Sequence, residues 1–373
     1  MAETRYQRLN NSTARMLSKA LEEDPAGDLE PLLHKLCATY PKLRCDIAER
    51  HKKKRMKLAT QEEEQKQKQK QKWKAFYLES LPFPLPPCAI VFPPSSYVRE
   101  LLGVADKTSP SCLSEAVVHH VAHGRTIWEG LSRSVVQLGD VAVKVGSNIE
   151  HDEHELLRYL EEHLPDLPAP RALGLLTVGR LSYFFMSYVP GNTLEQRWPS
   201  LSSQQKMDIR SSLNSILAKL RSVELSPGAP FGSLAGLRLC KDLRMDITTS
   251  SVPIYNEADF NDFLLSRTSS RAAQGYRRWL RSLTKDDHRI VLTHGDFHPR
   301  NIMVTDDSSG RATVSGIIDW EACGFYPEYW ELLKALNTRA VVDTSDWWDH
   351  LPKCILGYER EIAVDHLVEQ GRI

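Results

Sequence analysis

Between Leu292 and Val304 the chain reads LTHGDFHPRNIMV, which sets His294, Asp296, His298, Arg300 and Asn301 between apolar flanks. Two kinds of chemistry suit such a group. His294, Asp296 and His298, at alternate positions, have the spacing of ligands for zinc or iron. In the other reading, Asp296 is a base at the start of a loop and Asn301 an oxygen ligand five residues on. Asp319, which closes the later apolar run VSGII, then completes the set. Those three suit Mg²⁺-dependent phosphoryl transfer: a carboxylate orients an acceptor hydroxyl and takes its proton, while hard oxygens hold the metal. Gly295 and Pro299 mark a loop, no further histidine cluster completes a zinc or iron set, and that reading leaves Asn301 and Asp319 without a task. His294 and His298 are therefore expected to brace the loop by hydrogen bonds.

A second candidate lies upstream. In DVAVKV, Val141, Val143 and Val145 share one face of a strand, and Ala142 and Lys144 the other. Glu153 precedes Leu156, Leu157 and Leu160 by three, four and seven residues, which places it on the inward face of a helix with them. A strand lysine paired with an inward glutamate is a device for holding nucleotide phosphates. A structural ion pair, or a lysine whose head reaches out to water, fits the same residues.

These side chains need elements to carry them. TIWEGLSRSVVQLGDVAVKVG predicts two or three short strands, and EHDEHELLRYLEEHL predicts an amphipathic helix ended by prolines. LSYFFMSYVPG is a further strand, stopped by Pro190-Gly191. Helices follow: Ser202 and Gln205 form a capping box, after which Ile209, Leu213, Ile216, Leu217 and Leu220 recur at helical spacing. Two late strands are expected at Ile290–Thr293 and Val314–Ile318. The order is thus a strand-rich lobe followed by a helix-rich one.

HGDFHPRN with GIIDWE resembles the catalytic loop and metal-binding segment of the aminoglycoside phosphotransferase and choline kinase-like family. VAVKV, the inward Glu153 and FFMSYVPGNTLEQRW stand in that family's order, and GFYPEYWELLKAL is similar above all to fungal members of unassigned substrate. The resemblance covers roughly Thr126 to the C-terminus. It implies a bilobal α+β protein-kinase-like fold, with a small antiparallel-sheet N-lobe and a larger helical C-lobe. It also implies an ATP- and Mg²⁺-dependent phosphotransferase acting on an alcohol group. Lys144, held by Glu153, would bind the α- and β-phosphates, and the backbone of Ser187, Tyr188 and Val189, after Met186, the adenine edge. Asp296 would be the base, Asn301 and Asp319 the magnesium ligands, and His294 a brace. The phosphate-covering turn EGLSRSVVQLG departs from the kinase pattern, since it holds Gly130 and Gly139 but no G-x-G-x-x-G. The hydroxyls of Ser132 and Ser134 are the expected substitutes. The segment after Asp319 lacks the long activation loop and A-P-E element of protein kinases, which argues for a small acceptor.

For that acceptor, VVDTSDWWDHLP offers Asp343, Asp346 and Asp349 around Trp347 and Trp348, a setting for a cationic amine. Helix capping by Asp343 and an apolar anchor at Trp347 are the structural alternative. Glu321, Tyr326 and Glu328 are rival contacts nearer the metal segment.

The 373 residues carry 48 basic and 48 acidic side chains, so no global field favours nucleic acid or an anionic membrane. Seven scattered cysteines without a C-x-x-C pair indicate neither a disulfide framework nor a zinc ribbon. With no apolar leader and no run long enough to span a bilayer, the expected compartment is the cytoplasm. Residues 1–80 read as a polar helical arm, disordered in part, with HKKKRMKLATQEEEQKQKQKQKWK (His51–Lys74) as a solvated, low-complexity stretch. The arm is the place for a protein partner, and its basic run Lys52–Lys57 the place for a nuclear address. Residues 81–110 read as a proline-rich linker, 111–188 as the N-lobe and 189–373 as the C-lobe. The reading is a small-molecule kinase; the alternative is a weak or inactive kinase-like scaffold.

Overall fold

The computed structural model describes residues 5–25, 28–42, 77, 81–130, 132–147, 149–244, 247–266, 273–339 and 343–370. The whole His51–Lys74 stretch, with its basic run, lies outside them. The chain forms two compact units, Met1–Ser80 and Leu81–Ile373. In the first, helix α1 (Arg5–Glu23) is followed by a helix described over residues 30–42 (α2), and the Tyr40 hydroxyl donates to Asn10 at 2.6 Å. Their described side chains are exposed or half-buried, as a polar sequence requires.

The second unit begins with strand β1 (Ala89–Phe92), helix α3 (Ser96–Leu101) and helix α4 (Pro110–His123). Here the structure departs from the linker expected over residues 81–110, because β1 pairs antiparallel with a later strand, Ala89 opposite Thr177. Proline lacks the N–H that a central strand needs, but edge strands tolerate it. The prolines here flank AIVF without interrupting it. Ser109 caps α4 by accepting from the Cys112 N–H, with Pro110 in the first turn where no N–H is needed.

Strands β2 (Arg125–Glu129), β3 (Arg133–Leu138) and β4 (Val141–Gly146) follow, then helix α5 (Asp152–His163), β5 (Ala172–Val178) and β6 (Leu181–Ser187). They make one antiparallel sheet in the order β1-β5-β6-β4-β3-β2. All six residues of β4 are buried. Leu156, Leu157 and Leu160 of α5 share a core with Ala142, Leu175, Phe184 and Met186. Each such leucine contributes about 1.5–3 kcal/mol on burial, so α5 is firmly seated on the Lys144 face of the sheet.

The helical lobe opens with β7 (Asn192–Thr193), α6 (Leu194–Arg197) and α7 (Ser203–Leu220). The Ser202–Gln205 capping box is present, and Ile209, Leu213, Leu217 and Leu220 are buried, with Ile216 half-buried. A hairpin of β8 (Lys241–Leu243) and β9 (Ile247–Thr249) precedes α8 (Glu257–Ser266) and α9 (Gln274–Leu283). Strands β10 (Ile290–Thr293), β11 (Ile302–Asp306), β12 (Ala312–Ile317) and β13 (Gly324–Pro327) follow, then α10 (Trp330–Leu336) and α11 (Glu359–Gln370). The hairpin of β11 and β12 pairs with β7, and β10 with β13. The result is the bilobal α+β architecture of protein-kinase-like folds.

Candidate active site

Lys144 leaves the centre of β4 and is 6% exposed. Its ammonium meets three carboxylates: Glu153 from α5 at 3.0 Å, Asp319 at 2.9 Å and Glu321 at 3.0 Å. Burial opposes the charge, but the three anions outweigh it and hold the lysine well above its ordinary range. Burial raises the Glu153 carboxyl against the pull of Lys144, whereas at half-buried Asp319 the desolvation that would raise the carboxyl is outweighed by Lys144, which holds it below the usual carboxylate range. Oxygens of Glu153, Asp319 and Glu321 lie within 4.8 Å of one another, a hard donor set of the kind divalent cations take.

The loop after β10 is fixed from below. Gly295 turns at φ +78°, where a Cβ would lie 2.4 Å from the Ala322 carbonyl oxygen, so only glycine fits. The His294 imidazole accepts the Asp296 N–H on Nδ1 (3.2 Å) and donates from Nε2 to the Ile318 carbonyl (3.0 Å). These two partners require the neutral Nε2–H tautomer. The Ile318 N–H donates in turn to the Asn301 carbonyl at 2.9 Å. Ile318 is thus gripped on both sides, which sets the next residue, Asp319, in a left-handed conformation (φ 65°) rare for a non-glycine residue.

Asp296 accepts from Asn301 Nδ2 at 2.7 Å and from Arg300 at 2.8 Å. Because Asn301 spends its Nδ2 on Asp296, through the side chain and the main-chain carbonyl, its Oδ1 is the atom left to meet a cation. Arg300, to which the sequence assigned no role, is the ion-pair partner of Asp296. His298 is bonded to Asn337 and Thr338, both at 3.1 Å, and lies 3.4 Å from Asp296. Burial, helped by Arg300, pushes its pKa down to about 4. Neither histidine belongs to a group of metal-binding side chains among the described residues.

Glu331, near the start of α10, is the participant that sequence reasoning missed. It is fully buried, and its carboxylate accepts the N–H of His294 and of Gly295. The available signal was an acidic residue among the large apolar residues that open α10 (WELL), where an unpaired carboxylate is too costly to bury.

At the end of β6, Met186 lies opposite Ala142 and Ala172. The Ser187 N–H donates to Arg171 and the Tyr188 N–H to Asp140, while the Val189 N–H has no partner among the described residues.

Three expectations are corrected. Ser134 alternates away from Lys144: it pairs with Val145, its side chain is buried on the opposite face, and its hydroxyl cannot cover phosphates beside Lys144. Ser132 is exposed. The Glu321 carboxylate is held by Lys144 and Arg133, which groups it with the phosphate-side cations rather than with the expected acceptor contacts. Of the indole and aspartate group, Trp347 is 1% exposed and packs on Trp198 as a core anchor. Asp346 is engaged by Lys206 at 2.8 Å and the Trp198 indole at 2.7 Å, and Asp343 by Trp348 and the Ser345 N–H. Buried Tyr326 donates no charge to a pocket, its hydroxyl accepting the Lys241 N–H, and Glu328 pairs with Arg289.

The site thus joins a lysine–glutamate pair under an antiparallel sheet to a strand-terminal aspartate, which backbone bonds through Ile318 link to an aspartate–asparagine loop. The sequence model for the "Phosphotransferase enzyme family" matches residues 124–352, and the chain belongs to that family. Similar solved structures include an aminoglycoside-3'-phosphotransferase of type VIII, at 17% identity and TM-score 0.42, covering 66% of this chain and 92% of that one. Another is the streptomycin–ATP–APH(2")-IIa ternary complex, at 17% identity and TM-score 0.46, covering 69% of this chain and 85% of that one. No curated protein matches the chain. Among the described residues, no helix is long and apolar enough to cross a membrane.

Proposed function

We propose that this protein transfers the γ-phosphoryl group of ATP to a hydroxyl of a small molecule, with Mg²⁺ as cofactor. The observation that carries the reading is the pairing of Asp296 with Asn301, stitched through Ile318 to Asp319, which itself meets Lys144. Lys144, oriented by Glu153, binds the α- and β-phosphates, and the Val189 N–H meets the adenine edge beside Met186. Asp296 accepts the proton of the acceptor hydroxyl as its oxygen bonds to the γ-phosphorus and the bond to ADP breaks. Asn301 fixes the rotamer of Asp296, and Arg300 restrains its second oxygen until acceptor enters.

Magnesium would be held by Asp319 and Asn301, with Glu321 adjoining, and would supply charge neutralisation for the phosphates. The hard oxygen donors fit it. Catalysis in such a site is positioning and electrostatic stabilisation rather than covalent chemistry.

The test is Mg²⁺-dependent ADP release over a panel of hydroxylated amines, sugars and amino alcohols. Acceptor-dependent release that disappears in Asp296→Asn, with nucleotide binding retained, is expected. Unchanged turnover in that variant sinks the assignment, and silence across the panel with nucleotide still bound favours a scaffold.

A further inference from the structure

The turn before β3 has no glycine-rich motif, and Ser134, one of the serines expected to replace it, faces away from Lys144. Yet one charged side chain does reach the phosphate side of Lys144. Val135 lies directly opposite Lys144 across the β3–β4 ladder, so Arg133, two residues earlier on β3, projects from the same face. Arg133 itself pairs with Gly146, and a Cβ at that position would lie 2.9 Å from the arginine Cγ and 2.7 Å from the Ser132 carbonyl oxygen. The glycine therefore makes the room in which the guanidinium crosses toward Lys144.

The two cations converge on one atom. Arg133 Nη1 and Lys144 Nζ both bond Glu321 Oε2, from a segment 188 and 177 residues downstream. Only an anionic oxygen reconciles a guanidinium and an ammonium at that separation, and a carboxylate oxygen does so here.

Building on the nucleotide-binding reading above, we infer that Arg133 and Lys144 form a two-cation clamp for the nucleotide's phosphates. In the free protein, Glu321 occupies the clamp as an internal stand-in. ATP binding exchanges that carboxylate for phosphate oxygens, releasing Glu321 toward the metal side. Arg133 supplies in one side chain, with a planar fork of N–H donors suited to phosphate, what the absent loop would supply through backbone amides. The bound nucleotide must break an ion pair to enter, so the clamp favours ligands with enough phosphate charge to compete.

Calorimetric titration of the full chain with ATP, ADP, AMP and adenosine in EDTA tests this without any metal contribution. Wild type, Arg133→Met, Arg133→Lys and Glu321→Gln are compared, each checked for an unchanged unfolding temperature. Arg133→Met should weaken ATP by roughly tenfold or more, the loss of one charge-assisted contact, while leaving adenosine within about twofold. Arg133→Lys should recover part of the loss, and Glu321→Gln should tighten ATP but not adenosine. Equal weakening of ATP and adenosine in Arg133→Met, or none, overturns the clamp, and an indifferent Glu321→Gln overturns the stand-in. Wild type that binds no adenine nucleotide would overturn the phosphotransferase reading along with it, an outcome distinct from an indifferent variant.

Discussion

The carboxylate of Glu331 accepts the backbone N–H of His294 at 2.6 Å, inside the protein and 37 residues downstream of it. A second oxygen takes the Gly295 N–H at 3.1 Å. Burial raises the Glu331 carboxyl, and the two backbone N–H donors oppose that rise. The catalytic loop is thereby hung from α10. Glu331→Ala leaves two buried N–H groups without acceptors, at about 1–3 kcal/mol each, and should lower the unfolding temperature by several degrees. Glu331→Gln presents one oxygen and one amide N–H to the two donors, so one contact becomes repulsive. It should lose turnover more than stability. Wild-type kcat in Glu331→Gln would remove the bracing role.

The contrast with what the sequence disclosed is instructive. Lys144 and Glu153 are nine residues apart, so strand alternation and helical period suffice to place them on facing surfaces. Asp296 and Asn301 share one loop. Glu331, Arg133 and Lys206 find their partners by tertiary folding, across 37, 188 and 140 positions, and no local period encodes such a meeting. The indole and aspartate group was ambiguous for the same reason: Asp346 is acidic in any context, and only Lys206 and Trp198 show that it is occupied. The edge strand β1 was hidden differently, since its flanking prolines carry the signal of a linker and that of a sheet edge alike.

Lys144 neutralises three carboxylates at once, and its removal should be felt in stability as well as in binding. Lys144→Met leaves Glu153, Asp319 and Glu321 facing one another, with only Arg133 beside Glu321. Stripping one partner from a buried ion pair costs about 3–5 kcal/mol. The unpaired carboxyls then gain protons more readily in the folded state than in the unfolded chain. The deficit should therefore be largest near pH 8 and shrink toward pH 5, as urea denaturation at the two pH values would show. In the same variant the thermal shift given by Mg-ATP in the wild type should largely vanish. A deficit independent of pH would contradict the charge argument.

Gly295 offers a steric test of the same loop. An alanine there meets the Ala322 carbonyl oxygen at 2.4 Å and must hold φ +78°. Either the 293–298 backbone shifts or the segment after Asp319 gives way, and both carry the site. Gly295→Ala should cost about 1–3 kcal/mol for the strained backbone alone. It should cut kcat by two orders of magnitude or more, because misplacement of about 1 Å is that costly to positioned chemistry. Alanine at Gly310, also left-handed but with nothing within 4 Å, serves as the control: similar backbone strain, little loss of turnover.

Acid should destabilise the protein through two histidines. Burial, aided by Arg158, pushes His154 down to about 4, and burial with Arg300 does the same to His298. In the unfolded chain both titrate near 6.5. Between these values the unfolded state binds more protons, so stability falls as pH drops from about 6.5 toward about 4. Each histidine contributes at most about 1.4 kcal/mol per pH unit. Buried Glu153, Glu257 and Glu331, whose carboxyls burial raises, act in the opposite sense over part of that range. The histidine share is isolated by difference: His298→Asn should flatten the fall in unfolding free energy between pH 6.5 and pH 5 by about 1 kcal/mol per unit, relative to wild type. Parallel curves for the two proteins would show that His298 does not become charged on unfolding, and the neutral brace assigned to it would have to be abandoned.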